Sequence, residues 1–185
     1  MSHVFLADLS AASAGTVITL DSDEGHHAVR VRRMRVGEQV ELVDGLGTRA
    51  FGAVSSLGKS ACTIDIDSIA HEPLLVPHLT VVQALVKRDR SDQAMELLTE
   101  AGVDTVVPWA AARSQSSEVP AKWPRIAAES SKQSRRARFP VITPAHTTAA
   151  VCQLITNSVN AGGLVLLCHE SAHTPIAEVL FASGA

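Results

Sequence analysis

Two groups of residues have types and spacings that could do chemistry. The first is His169-Glu170-Ser171-Ala172-His173, which matches H-E-x-x-H, the pattern that binds zinc through two histidines one helical turn apart and uses the glutamate as general base. That chemistry needs the motif inside a helix. Here it follows the apolar run Leu164–Cys168 directly and is cut off by Thr174-Pro175, with twelve residues left to supply a third ligand. A zinc hydrolase is therefore the least supported reading, and no metal ligand is assigned. The second group is cationic. Arg30, Arg32, Arg33 and Arg35 lie within six residues, and Lys122, Arg125, Lys132, Arg135, Arg136 and Arg138 lie within 122–138 against Glu129 as the only acid. Two basic clusters far apart in sequence are what a protein gripping folded RNA by its phosphates needs, although a charged run is as often a solvated helix face.

Composition narrows the field further. The 185 residues carry a net charge of −3, so attraction to nucleic acid must come from patches rather than the average. With four Phe, two Trp and no Tyr, the core must be built from Val, Leu, Ile and Ala, and aromatic platforms for base stacking are not expected. Cys62, Cys152 and Cys168 are odd in number and widely spaced, which suggests neither a disulfide framework nor a cysteine zinc site and fits a reducing cytoplasm. No apolar run is long enough to span a bilayer, and the N-terminus lacks a leader pattern, so no membrane association is expected. Asp44-Gly45-Leu46-Gly47 fails the G-x-G-x-x-G spacing and has no helix after it, so it reads as a β-turn.

The elements that must position these residues change character near residue 75. Up to residue 70 the pattern is of short strands at His3–Ala7, Thr16–Leu20, Gln39–Val43, Arg49–Ser55 and Cys62–Ile69. One helix interrupts them, starting at Ser22 or Asp23, with Ala28, Val31 and Met34 on one face and Gly37 at its end. Ala70–Pro77 reads as a linker because two prolines sit in an extended context. Beyond it, apolar runs alternate with helical periodicity. A strand at Leu79–Val86 precedes a helix with Ala94, Leu97, Leu98 and Ala101 on its apolar face, closed by Gly102; then come a strand at Val103–Trp109, a helix over Trp123–Arg136, a strand near Val141, a helix over Ala149–Asn160 and a strand at Leu164–Cys168. This alternation predicts an α/β domain around a mostly parallel sheet.

On these elements sit four motifs in order. They are His27-Ala28-Val29-Arg30-Val31-Arg32-Arg33-Met34 with Gly37 and Asp44-Gly45; Lys87-Arg88-Asp89-Arg90 through Glu100-Ala101-Gly102-Val103; Arg113-Ser114; and Gln133 to Arg136 with Pro140. Together they resemble the RsmE-type rRNA uridine methyltransferases. The resemblance implies a PUA-like β-barrel RNA-binding domain at residues 1–72 and the N-terminal part of a SPOUT-type α/β methyltransferase domain at 77–185, with a trefoil knot that the 185 residues do not complete. It implies S-adenosyl-L-methionine as cofactor, methylation of N3 of a uridine in 16S rRNA of the small ribosomal subunit, and a homodimer formed through the knot.

The resemblance also implies site residues. His169 and Glu170 occupy the first cofactor loop, after Leu164–Cys168; the family's G-P-E-G-G loop and its leucine-arginine-threonine-rich segment have no counterpart here, so this chain alone is expected to be inactive. RNA is expected on His27, Arg30, Arg33 and Arg35 in the first domain and on Lys87, Arg90, Arg113, Lys132, Gln133, Arg135, Arg136 and Arg138 in the second. Loss of Arg33 or Arg136 is expected to weaken RNA binding and leave folding unchanged. No general base stands out: His27 and Glu100 fall in family motifs, but Glu100 ends a helix where a structural hydrogen bond serves as well. The rival reading is an RNA-binding module without catalysis.

Overall fold

The computed structural model describes residues 2–114 and 116–183, with the backbone alone for Arg88 and for 181–183. The chain builds two sheets. The first contains β1 (His3–Leu6), β2 (Val17–Leu20), β3 (Gln39–Val43), β4 (Thr48–Leu57) and β5 (Cys62–His71) in the order β1-β3-β4-β5-β2. β1 runs parallel to β3 and the other pairs are antiparallel. Two bulges in the β4–β5 ladder curl the sheet. Gly52 stands at one of them, where a Cβ would meet the Asp65 carbonyl oxygen at 2.2 Å. The inner face buries Phe5, Val40, Leu42, Val54, Ile64 and Ile66, alternate residues of their strands, as period-two patterning requires.

The helix between β2 and β3 departs from its expected course. α1 (Ser22–His26) passes at once into a π-helical turn at His27–Val31 and stops there, because Arg33 is left-handed at φ 53°. The wider turn, seen in the Arg32 N–H donating to the His27 carbonyl, resets the buried face. Ala28 and Met34 enter the core and Val29 packs against it, whereas Val31 faces solvent. The arginines are thereby spread over the π turn and its exit loop instead of along one helix.

The second sheet is parallel throughout. β6 (Thr80–Ala84) pairs with β7 (Thr105–Ala110), which pairs in turn with β8 (Val141–Ile142) and β9 (His146–Thr147). α2 (Arg88–Glu100), α3 (Trp123–Gln133), α4 (Thr148–Asn160) and α5 (Ile176–Ser183) complete the α/β part. Leu97 of α2 is exposed, and the buried stripe is Ser91, Met95 and Thr99. Hydropathy could not single out this face, since two of its three members are polar and are satisfied by hydrogen bonds inside the core. Trp123 Nε1 donates to Ser91 Oγ at 3.1 Å, and Thr99 Oγ1 donates to the Met95 carbonyl at 2.8 Å.

Leu164–Cys168 is not a strand. Among the described residues it has no sheet partner, and Leu164, Val165 and Leu167 are exposed, because an apolar run acquires strand structure only where another strand offers its hydrogen bonds. The chain beyond that run turns helical in α5 as far as Ser183, and 184 and 185 lie outside the described residues. Among the described residues no helix is long and apolar enough to cross a membrane.

Candidate nucleic-acid interface

The first basic cluster, through Arg32, and the second, through Lys132 and Arg135, come together where the two parts of the chain join. The segment leaving α3 is hydrogen-bonded to the turn between β3 and β4. Gly47 N–H donates to the Ala137 carbonyl at 3.1 Å, and Phe139 N–H donates to the Gly45 carbonyl at 2.9 Å. Asp44 shapes that turn by accepting from the N–H groups of Leu46 at 2.7 Å and Thr48 at 2.9 Å. Burial alone would raise its carboxyl, but these hydrogen bonds outweigh burial and hold it below the usual range. The turn is therefore a docking seat for α3. Its glycines have φ values of 76° and 108°, and a Cβ on Gly47 would strike the Arg138 guanidinium.

Ion pairs lock the same joint. Arg49 on β4 pairs with Glu41 and Glu72 and donates to the Arg135 carbonyl. Burial opposes the Arg49 charge, yet its two carboxylates outweigh burial and raise its pKa. Arg138 donates to the carbonyls of Glu72, at 2.8 Å, and of Leu46. Lys132, nearly buried in α3, reaches Glu24 of α1 at 2.6 Å and Glu129 at 2.9 Å. Desolvation opposes its charge as well, but the hydrogen bonds and charges of the two glutamates keep the ammonium above its ordinary range.

Beside this joint lies a cleft of about 280 Å³. β1 contributes His3 and Phe5, the first helix and its π turn contribute Glu24, His27 and Arg32, and the end of α3 contributes Lys132 and Gln133 with Arg135 just beyond. Four expected RNA contacts, His27, Lys132, Gln133 and Arg135, thus converge from sequence positions a hundred residues apart. Arg32 joins them, its Nε donating to His27 Nε2 at 3.1 Å. Arg32 lies in the first basic cluster and within the first motif but is not among the expected RNA contacts. Glu24 had no local signal at all, since its partner lies 108 residues away.

The remaining expected contacts are distributed differently. Arg30, Arg33 and Arg35 are exposed, and among the described residues their side chains make no hydrogen bond or ion pair. Lys87, Arg90 and Arg113 follow the C-terminal ends of the adjacent strands β6 and β7 and are also exposed, at the sheet edge where open α/β sheets bind ligands. The joint lies at the opposite edge.

Arg136 and Arg138 are not surface contacts. Arg136 donates to the carbonyls of Thr99 at 2.8 Å, Val103 at 3.1 Å and Gly102 at 3.3 Å, and lies 3.8 Å from Asp104. It caps the C-terminus of α2, a place that favours a cation and leaves carbonyls without helical partners. The expectation that its loss leaves folding unchanged is therefore reversed. Arg138 and Lys132 likewise have their donors committed to protein partners.

His169 and Glu170 stand in an exposed turn, with every residue from Leu167 to Glu178 exposed. His169 Nδ1 accepts from Ser171 N–H at 3.1 Å, and residues 169–173 are not helical, so the two histidines lack the one-turn spacing of the zinc pattern. Nothing among the described residues walls this turn into a pocket that could desolvate and orient a cofactor.

Comparison with known proteins decides the family. Residues 73–184 match the model of the RNA methyltransferase domain, and residues 20–67 match that of the RNA methyltransferase PUA domain. The chain belongs to this family of RNA methyltransferases. It is 38% identical over 177 residues to the ribosomal RNA small subunit methyltransferase E of Mycobacterium bovis, covering 92% of this chain and 68% of that protein. The Bacillus subtilis protein of the same name is 25% identical, covering 73% of this chain and 56% of its own length. Among solved structures, a Legionella pneumophila protein with its cofactor SAM bound superposes with a TM-score of 0.77 at 19% identity, covering 96% of this chain and 74% of that one. The Neisseria gonorrhoeae ribosomal RNA small subunit methyltransferase E bound to S-adenosyl methionine gives 0.72 at 23%, covering 80% and 62%. The curled N-terminal sheet is the PUA-like part of the fold, and the parallel sheet with its helices is the SPOUT-type part.

Proposed function

We propose that this chain serves the S-adenosyl-L-methionine-dependent methylation of N3 of a uridine in 16S rRNA, with residues 1–72 as an RNA-holding domain and 77–185 as part of the methyltransferase domain. The reading rests above all on the 38% identity, over nearly the whole chain, to a small-subunit rRNA methyltransferase. The arrangement of charge supports it. Arg30, Arg33 and Arg35 in the PUA-like part, and Lys87, Arg90 and Arg113 at the strand ends of the second part, offer guanidinium and ammonium groups free for phosphates. N3 lies on the pairing edge of uracil, so the target must be unpaired or flipped out, and holding deformed RNA against two surfaces is the task such patches perform.

His169 and Glu170 are the proposed first cofactor loop. Because they stand in an exposed turn, the 185-residue chain is expected to bind the cofactor weakly. Dimerisation through the C-terminal knot when it is complete, and a cytoplasmic location, finish the proposal. That same exposure favours, as a second reading, RNA binding without methyl transfer by this chain. Calorimetric titration with S-adenosyl-L-methionine, together with salt-dependent binding to 16S rRNA fragments, separates the two. RNA binding whose log–log salt slope drops by about one unit in Arg33→Ala supports the phosphate surface. An unchanged slope and affinity would refute it, and tight stoichiometric cofactor binding would reject the second reading together with the placement of the first cofactor loop at His169 and Glu170.

A further inference from the structure

The cleft at the joint has a composition that neither a phosphate nor an apolar ligand satisfies. Glu24 Oε1 takes Lys132, but its Oε2 is buried without a hydrogen-bond partner. A buried acceptor in that state calls for a donor, and it repels a bare anion. The same cleft holds two guanidinium groups with capacity to spare. Arg32 uses only Nε, on His27, while Arg135 gives one donor to the Ser2 carbonyl at 3.2 Å and lies 4.0 Å from the Glu41 carboxylate, out of five N–H groups each. The fitting ligand must bring an N–H donor and an anion together.

We propose that this cleft holds one unpaired nucleotide of the RNA, its base edge donating to Glu24 and its phosphate lying on Arg32 and Arg135; this rests on the reading of the chain as an RNA-acting protein. The volume of about 280 Å³ is at the low end for ligand sites and suits a single nucleotide rather than a paired helix end. His27 packs edge-on against Phe5 with centroids 6.1 Å apart, and His3 lies 6.5 Å from the same ring. These two imidazoles supply planar faces for a base in a chain otherwise poor in aromatic rings.

The chemistry selects guanine. Its pairing edge presents N1–H and the 2-amino group side by side, both donors to a carboxylate. Uracil flanks its single N3–H with two carbonyl oxygens, and adenine and cytosine each set a ring-nitrogen acceptor beside their amino group. An acceptor-only side chain therefore discriminates for guanine, and does so only when that edge is unpaired.

The test is titration of the isotope-labelled 185-residue chain, without cofactor, with guanosine 5′-monophosphate and uridine 5′-monophosphate, followed by amide NMR. The guanine nucleotide is expected to shift His3, Glu24 and Gln133 and to bind about tenfold more tightly, the discrimination typical of one paired base edge. Glu24→Gln should bring the two nucleotides to within about twofold. Arg32→Ala changes an exposed side chain and keeps the inference testable if the Glu24 variant fails to fold; it should weaken the guanine nucleotide about tenfold, towards the affinity of guanosine. Equal binding of the two nucleotides, shifts confined to another surface, or no binding at about 10 mM would overturn the inference. Since no cofactor is present, a chain that methylates rRNA yet ignores the nucleotide overturns this inference alone, and binding without methylation leaves it standing.

Discussion

Replacing Arg136 with alanine removes three hydrogen bonds from a charged donor to the carbonyls of Thr99, Gly102 and Val103, and an ion pair with Asp104. A hydrogen bond to a charged group contributes about 1.5–3 kcal/mol net, and a cation at a helix C-terminus about 0.3–1 kcal/mol. The three bonds share one guanidinium and are not additive, and water can replace part of them because the side chain is 17% exposed. The expected loss is about 2–4 kcal/mol. With a urea m-value of about 2 kcal/mol/M, the midpoint should fall by about 1–2 M. Urea denaturation followed by Trp fluorescence is suitable, since Trp123 is buried against α2 through Ser91. Arg136→Lys keeps the charge without the fork and should recover part of the loss. Arg33→Ala, with no intramolecular partner, should leave the midpoint unchanged. A shift below about 0.3 M for Arg136→Ala, or equal shifts for the two alanine variants, would refute the capping argument.

Lys132→Met should destabilise by about 1–3 kcal/mol, below the usual cost of orphaning a buried charge because Glu24 and Glu129 are partly hydrated. A double-mutant cycle with Glu24→Gln should return a coupling of about 1 kcal/mol, and additive effects would show that the pair is incidental. Gly47→Ala forces an L-residue to φ 108° and pushes Arg138 aside, so thermal unfolding should reveal a loss of about 1–3 kcal/mol. The Asp44 carboxyl is held below its ordinary pKa in the folded chain, so its contribution is present above the unfolded value of about 3.9 and is lost as pH falls through the folded value. The stability difference between the parent and Asp44→Asn should therefore shrink on acidification below about pH 4, and a pH-independent difference would contradict the role given to the turn.

Much of the fold was legible without coordinates because it rests on local periodicity and backbone chemistry. Strand alternation placed β3 at Gln39–Val43 residue for residue, and Gly102 closes α2 in the left-handed conformation that glycine alone adopts freely. The order of motifs was enough to indicate the family, since residue identities are carried by sequence. What sequence did not contain was partnership. Whether Leu164–Cys168 pairs as a strand depends on a neighbour, and its own residues are silent on that. Arg33 and Arg136 look alike as charges in motifs, yet one faces water and the other caps a helix, because only the return of the chain past α2 brings three carbonyls to Arg136. The Asp44-Gly45-Leu46-Gly47 turn became a docking seat for the same reason. A cleft joining Glu24 to Lys132 across 108 residues is a property of two parts meeting, and contacts at that separation leave no trace in periodicity, composition or spacing.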